Sequence, residues 1–136
     1  MLGPATSNPL ATRGFIRVFV CDDVAEMRGL VRFWFENDDE IRIVGEAGDG
    51  ISGLEGITDT RPDVVLLDLA MPGLDGLELI PRIHERVDTR IVVFSGFSSH
   101  RLAPLSIEAC AERYVEKGTD PDVLRQALRE VATAPA

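Results

Sequence analysis

The fold follows from Phe15-Ile16-Arg17-Val18-Phe19-Val20-Cys21-Asp22-Asp23, an apolar run of strand length that stops at two carboxylates. The arrangement returns as Val64-Val65-Leu66-Leu67 before Asp68, Ile91-Val92-Val93-Phe94 before Ser95, and Tyr114-Val115-Glu116 before Lys117. Short continuous apolar runs are typical of buried parallel strands. The carboxyl ends of such strands share one edge of the sheet, where open α/β folds bind ligands. The sequence therefore predicts one crevice that contains Asp22, Asp23, Asp68, Ser95 and Lys117.

Strand and helix patterns alternate five times along the chain. We expect strands near residues 15–20, 41–47, 63–67, 90–95 and 113–116. Helices are expected over Ala25–Asn37, Gly50–Asp59, Leu77–Arg86 and Ser99–Ala111, and a last one begins at Asp120 as N-cap with Pro121 in first position. Helices between apolar strands indicate a doubly wound parallel sheet of the α/β class, covered on both faces.

The first expected helix carries an apolar stripe of Met27, Leu30, Val31 and Trp34, which we expect to face the sheet. Phe33 lies off this stripe, on a flank that faces solvent or a partner. An exposed aromatic side chain near the crevice is a plausible interface anchor. The alternative is that Phe33 packs under a neighbouring helix.

Composition limits the class of protein. The 136 residues are enough for one domain with a sizeable core, and 45% apolar with 27% charged residues is typical of a globular protein. A net charge of −9, spread along the chain, argues against nucleic-acid binding. No apolar run approaches a bilayer span and no secretory signal is visible, so we expect a cytoplasmic protein without membrane contact.

Two local expectations complete this picture. Residues 1–14 are small, polar and Pro-containing, which predicts a disordered tail before a domain at 15–133. Cys21 and Cys110 have no metal-site spacing and flank apolar segments, so we expect two buried free thiols.

Three carboxylates in one crevice indicate a bound cation. Asp22, Asp23 and Asp68 repel one another, and a divalent ion relieves that repulsion. Mg²⁺ is suited to the task because it takes oxygen ligands, keeps waters and accepts phosphate oxygens. A carboxylate can attack phosphorus to give an aspartyl phosphate, and Lys117 and Ser95 offer donors to phosphate oxygens. The residues therefore favour Mg²⁺-dependent phosphoryl transfer.

Taken together, these motifs resemble the receiver domain of response regulators in two-component signalling. The matching segments are Asp22-Asp23, Asp68-Leu69-Ala70-Met71-Pro72-Gly73-Leu74-Asp75-Gly76, Ser95-Gly96 and Tyr114-Val115-Glu116-Lys117, within residues 15 to 133. The resemblance implies a flavodoxin-like (βα)5 fold with a five-stranded sheet in the order 2-1-3-4-5. It also implies a stand-alone receiver in a phosphorelay, which is no enzyme beyond its own phosphorylation and dephosphorylation.

The resemblance assigns the acceptor and the metal ligands. Asp68 is implied to be the phosphoacceptor. Asp23, Asp68 and the backbone carbonyl of Ala70 are implied to ligate Mg²⁺, with Asp22 acting mainly through water.

The resemblance also implies a switch and its partners. Ser95 and Lys117 would contact the phosphoryl oxygens, and Ser95 and Tyr114 would form the switch, with Tyr114 changing rotamer. A histidine kinase or histidine phosphotransfer protein would dock around the first helix and the loop after Lys117, and a downstream protein of unknown identity would read the signal. Receivers commonly have proline after this lysine, whereas this chain has Gly118.

Each residue alone has a simpler explanation. Asp23 could cap the first helix, Asp68 could be a cap or turn residue, and Lys117-Gly118 could be a surface loop. The ordered set favours the functional interpretation. Two alternatives stay open: a degenerate receiver that binds partners without phosphorylation, and a Mg²⁺-dependent phosphohydrolase with an aspartate nucleophile. The second needs a further acid/base carboxylate and a cap, which the sequence does not supply.

Overall fold

The computed structural model describes residues 8–72 and 74–135. The strands in this part are β1 (Ile16–Cys21), β2 (Ile41–Ala47), β3 (Val64–Leu67), β4 (Arg90–Ser95) and β5 (Arg113–Glu116). The helices are α1 (Pro9–Arg13), α2 (Ala25–Phe35), α3 (Gly50–Thr60), α4 (Gly76–Arg86), α5 (Ala103–Glu108) and α6 (Pro121–Thr133), with a 3₁₀ helix at Phe97–Leu102 before α5.

The strands form one parallel sheet in the order β2-β1-β3-β4-β5. This confirms the predicted flavodoxin-like order 2-1-3-4-5. Strand β3, whose four residues are all buried, lies in the centre beside β1. The strand order reverses between β1 and β3, and a ligand crevice forms outside the carboxyl ends of strands at such a point.

The core has two layers, one on each face of the sheet. On one face, Val31 and Phe35 of α2 pack with Leu124 and Leu128 of α6. On the other face, Phe19 packs under α3 and α4. A Cβ at Gly56 of α3 would lie 2.5 Å from Cζ of Phe19. This glycine lowers helix propensity, but it lets α3 lie directly on the ring.

Helix α1 corrects part of the expected disordered tail. The Asn8 side chain caps α1 by accepting a hydrogen bond from the Leu10 N–H at 2.9 Å, and Gly14 ends the helix with φ 86°. Leu10 packs against the core, and the Arg13 guanidinium donates to both Asp63 oxygens at 2.7 and 3.1 Å. These tertiary contacts offset the entropy of ordering a short segment. Residues 1–7 lie outside the described residues.

Two expectations about burial were wrong. Leu30 is 40% exposed, and Phe35, four residues after Val31, is buried on the sheet-facing side of α2 instead. Cys110 is an exposed free thiol, because it lies in the turn after α5 with φ 80°. The predictions that Cys21 is buried and that Phe33 lies on an open flank are confirmed, and Phe33 is 69% exposed.

The helix expected over Ser99–Ala111 is divided in two. A 3₁₀ helix leads into α5, and α5 ends at Glu108. Pro104 lies in the first turn of α5, where its missing N–H leaves no intrahelical bond unmade.

Candidate functional site

The strand ends that the sequence singled out meet at one edge of the sheet. Asp22 follows β1, Asp68 follows β3, Ser95 ends β4 and Lys117 follows β5. The Asp68 N–H donates to the Cys21 carbonyl at 2.9 Å, and the Lys117 N–H donates to the Ser95 carbonyl at 2.8 Å. The parallel ladder therefore extends past the strands and fixes these residues side by side.

The Asp68 carboxylate is held by donors on both of its oxygens. Oδ1 accepts hydrogen bonds from Ser95 Oγ at 2.7 Å and from the Ala70 N–H at 3.1 Å, and Oδ2 accepts from Lys117 Nζ at 3.1 Å. Ser95 is fully buried, and its Oγ lies 3.4 Å from the Leu69 N–H. Asp68 itself is 5% exposed. The contacts fix the orientation of the carboxylate at the floor of the crevice.

Asp22 shares the Lys117 ammonium with Asp68. Lys117 Nζ lies 2.6 Å from Asp22 Oδ2, and Asp22 Oδ1 accepts a hydrogen bond from the Val24 N–H at 2.9 Å. Burial raises the pKa of Asp22, although the bonds from Lys117 and Val24 act to lower it. Burial acts to lower the pKa of Lys117, but the hydrogen bond to Asp22 and the charges of both carboxylates outweigh it and raise that pKa. Two buried carboxylates thus share one ammonium, from the only lysine in the sequence.

A third carboxylate completes an acidic cluster that fits a hard cation. Asp22, Asp23 and Asp68 each offer a carboxylate oxygen, and these oxygens lie within 4.8 Å of one another. Helix α2 begins after Val24 without a side-chain cap, so Asp23 does not serve as its N-cap. Asp23 is exposed at the mouth of the crevice. Three carboxylates against one ammonium leave excess negative charge, and an all-oxygen donor set suits Mg²⁺.

Tyr114, the expected switch residue, lies on β5 and is half-buried. Its hydroxyl is buried without a hydrogen-bond partner in the described part of the chain. Burial raises the pKa of Tyr114, and the charges of Glu116 and Asp68 raise it further. An unpaired buried hydroxyl carries a free-energy penalty.

The loop after Lys117 turns at Gly118, whose φ is 96°. Glycine adopts this left-handed conformation readily, which allows a tight turn directly after Lys117. The Thr119 hydroxyl donates to the Glu116 carbonyl at 3.0 Å and closes the turn.

Sequence reasoning missed Arg28. Its Nη1 donates to the Asp22 main-chain carbonyl at 2.7 Å, and its Nε donates to Glu46 Oε1 at 2.9 Å. No local pattern predicts a bond from a helix side chain to the carbonyl of a preceding loop. The available signal was the position of Arg28 in the first turns of a helix that starts beside the acidic pair.

Residues 18–129 match the protein family described as the response regulator receiver domain. An uncharacterized transcriptional regulatory protein of Bacillus subtilis is 36% identical over 110 residues, which are 80% of this chain and 51% of that protein. A nitrate/nitrite response regulator protein homolog of Haemophilus influenzae is 32% identical over 118 residues, 86% of this chain and 57% of that protein. The chain spans about half the length of these two relatives, so its stand-alone character stays a prediction.

Solved receiver domains have the same fold. The receiver domain of the putative response regulator NarL from Mycobacterium tuberculosis superposes with a TM-score of 0.81 at 28% identity, covering 88% of this chain and 98% of that one. A LuxR-family response regulator from an Aurantimonas species gives a TM-score of 0.82 at 30% identity, covering 89% and 87%. Among the helices of residues 8–72 and 74–135, none is long and apolar enough to cross a membrane.

Proposed function

Because the chain belongs to the response regulator receiver domain family, we propose that Asp68 accepts a phosphoryl group from a phosphohistidine donor and that phosphorylation changes the affinity for a downstream protein. One observation carries the proposal. Asp68 is buried at the sheet edge with Ser95 Oγ and Lys117 Nζ on its two oxygens, at 2.7 and 3.1 Å, and two further carboxylates lie beside it.

The family binds Mg²⁺ at an acidic pocket. In this chain the proposed ligands are Asp23, Asp68 and the backbone carbonyl of Ala70, with Asp22 acting mainly through water. When bound, the ion supplies neutralisation of the charge on the attacking and phosphoryl oxygens. The excess of carboxylates over ammonium groups at this edge supports the assignment, because it leaves negative charge for a cation to balance.

The proposed transfer forms a bond between an Asp68 oxygen and phosphorus while the bond from phosphorus to the donor imidazole nitrogen breaks. The nitrogen keeps the electron pair of the broken bond. Lys117 and Ser95 both donate to Asp68 in the structure, so a small movement lets each donate to a phosphoryl oxygen instead. Such reactions depend on positioning and charge neutralisation more than on acid/base groups.

The switch is proposed to couple Ser95 and Tyr114. Ser95 Oγ leaves Asp68 Oδ1 to follow the phosphoryl group, and the Tyr114 ring changes rotamer. The buried hydroxyl of Tyr114 supports this step, since a rotamer that gives it a partner removes a penalty of about 1–3 kcal/mol. A downstream protein that binds this second state better would be recruited on phosphorylation.

The donor is proposed to be a histidine kinase or a histidine phosphotransfer protein that docks around α2 and the loop after Lys117. Phe33 on α2 is 69% exposed, which supports docking at this surface because exposed aromatic side chains commonly anchor interfaces. The protein is proposed to act in the cytoplasm on no substrate other than its own Asp68. The output of the signal is proposed to depend on which downstream protein binds the phosphorylated state.

The test is the intact mass after incubation with acetyl phosphate and Mg²⁺. Wild type should gain one labile phosphoryl group, and Asp68→Asn should gain none. Asp75→Asn is the matched control, because Asp75 is an exposed N-cap that accepts a hydrogen bond from the Leu77 N–H at 2.8 Å. Labelling of Asp68→Asn equal to wild type would refute the acceptor. A wild type that neither labels nor binds beryllofluoride with Mg²⁺ would be a degenerate receiver.

A further inference from the structure

We infer that Arg28 is a positioning residue, whose guanidinium fixes the Asp22–Asp23 peptide so that both carboxylates are presented to Mg²⁺. The inference rests on the proposed function, because it concerns the same acidic cluster. It assigns a task to a helix residue that lies outside the set of acceptor, ligands and switch residues.

The contacts of Arg28 join three elements. Its Nη1 donates to the Asp22 carbonyl at 2.7 Å, and its Nε donates to Glu46 Oε1 at 2.9 Å. Glu46 lies on β2, in register with Val20 of β1. The Arg28 and Glu46 side chains are only 20% and 29% exposed. A charge-assisted bond from a partly buried, anchored guanidinium is among the stronger hydrogen bonds in proteins.

The carbonyl that Arg28 binds belongs to the peptide linking Asp22 to Asp23. The Asp22 carboxylate has its own bonds, from Val24 and Lys117. In the part of the chain that the structure describes, no hydrogen bond or ion pair reaches the Asp23 carboxylate. Its direction is therefore set by the backbone, and a rotation of this peptide would swing Asp23 away from Asp22 and Asp68.

The chain leaves room for this contact at Gly48. A Cβ at Gly48 would lie 3.0 Å from Arg28 Nη1 and 3.8 Å from the Asp22 carbonyl oxygen. A side chain there would press on the guanidinium at the point where it reaches the loop. The space beside Gly48 and the bond to Glu46 together direct the Arg28 side chain toward the acidic pair.

Arg32 provides a matched control. It also pairs with Glu46, and it carries the same charge on the same helix. No contact of Arg32 with the Asp22 carbonyl exists among the described residues. Substitution of Arg32 thus changes net charge and the Glu46 pair without touching the Asp22–Asp23 peptide.

The experiment compares Mg²⁺ affinity by calorimetric titration in wild type, Arg28→Met and Arg32→Met. Loss of a group that orients metal ligands typically weakens metal binding about 10- to 100-fold, which is the effect expected for Arg28→Met. Arg32→Met should stay within about threefold of wild type, since it removes only a partly exposed charge. Arg28→Lys, which keeps the charge and one donor, should recover part of the affinity.

A second readout needs no metal. The Val24 amide donates to Asp22 Oδ1, so its hydrogen exchange reports the order of this loop. Exchange should be faster in Arg28→Met and unchanged in Arg32→Met. If Arg28→Met does not fold, Arg28→Lys is the substitute, because it keeps the charge but lacks the planar guanidinium that reaches both the Asp22 carbonyl and Glu46, and it should bind Mg²⁺ more weakly than wild type.

Two outcomes would overturn the inference. Either Arg28→Met binds Mg²⁺ as tightly as wild type, or Arg32→Met loses as much affinity as Arg28→Met. In both cases Mg²⁺-dependent labelling of Asp68 in wild type would leave the proposed function intact. A wild type that binds no Mg²⁺ and takes no phosphoryl group would overturn the proposed function and this inference together.

Discussion

Lys117→Met is expected to destabilise the metal-free protein by about 3–5 kcal/mol at neutral pH, the usual loss when one partner of a buried ion pair is removed. The Lys117 ammonium lies 2.6 Å from Asp22 Oδ2 and 3.1 Å from Asp68 Oδ2, and these side chains are 3% and 6% exposed. Without the ammonium, two buried carboxylates face each other with no cation between them.

The loss of stability in Lys117→Met should depend on pH and on Mg²⁺. Burial already raises the pKa of Asp22, and removing Lys117 raises it further because the opposing bond and charge are gone. Folded Asp22 then takes up a proton at higher pH than the unfolded chain, so the deficit is largest above the folded pKa and shrinks as pH falls through that pKa. Removing the ammonium also leaves three carboxylates without a cation, so Mg²⁺ should stabilise the variant more than it stabilises wild type. At about 100 times the variant's Kd, Mg²⁺ should raise the variant's free energy of unfolding by about 2.7 kcal/mol.

The assay is urea unfolding at pH 7 and pH 5, with and without Mg²⁺, and Arg125→Met is the control. Arg125 Nε lies 2.7 Å from Asp38 Oδ2, but its side chain is 34% exposed. Arg125→Met should lower the free energy of unfolding by about 1 kcal/mol or less, and by the same amount with and without Mg²⁺. If Lys117→Met loses no more stability than Arg125→Met, or if Mg²⁺ stabilises Lys117→Met no more than wild type, two buried carboxylates do not depend on the Lys117 ammonium.

Three further predictions concern the cluster, the docking flank and the core. Asp23→Asn should weaken Mg²⁺ binding on titration and, by relieving repulsion, slightly raise the metal-free Tm; an unchanged affinity would count against Asp23 as a ligand. Phe33→Ala should slow transfer from the cognate phosphodonor protein but not labelling by acetyl phosphate, and an equal fall in both rates would contradict docking there. Gly56→Ala should lower the free energy of unfolding, measured in urea, by about 1–3 kcal/mol, because its Cβ would meet the Phe19 ring at 2.5 Å. Unchanged stability would mean that α3 can shift away from the ring at no cost in free energy.

The elements that were predicted correctly from the sequence are those that interactions between nearby residues determine. Asp120, named as the N-cap of the last helix, accepts a hydrogen bond from the Asp122 N–H at 2.9 Å, because a short carboxylate reaches its own first turn. Continuous apolar runs set the strands, and the parallel order placed Asp68, Ser95 and Lys117 at one edge.

The remaining features depend on contacts between distant segments. The ordering of α1 comes from Arg13 with Asp63 and from Leu10 against the core, and composition alone indicated a tail. Leu30 is as apolar as the other residues of the predicted stripe, yet it is exposed. Phe35 is the residue of α2 that is buried against the sheet instead. Arg28 binds a main-chain carbonyl, which has no signature in the sequence. Each case is a tertiary contact that overrides a local preference.

The single lysine gives the crevice a built-in chemical reporter. Only the neutral form of an amine attacks an acylating reagent, and the carboxylates around Lys117 raise its pKa and so favour the protonated form. Thirteen arginines supply the other permanently charged basic side chains, and guanidinium groups do not compete for such reagents at neutral pH. Any event that draws Asp22 or Asp68 away from the ammonium changes the rate at which one side chain is modified. The adduct on the peptide that contains Lys117, separated from any at the N-terminal α-amine or the exposed Cys110 thiol, therefore reports the occupancy of the site in unlabelled protein.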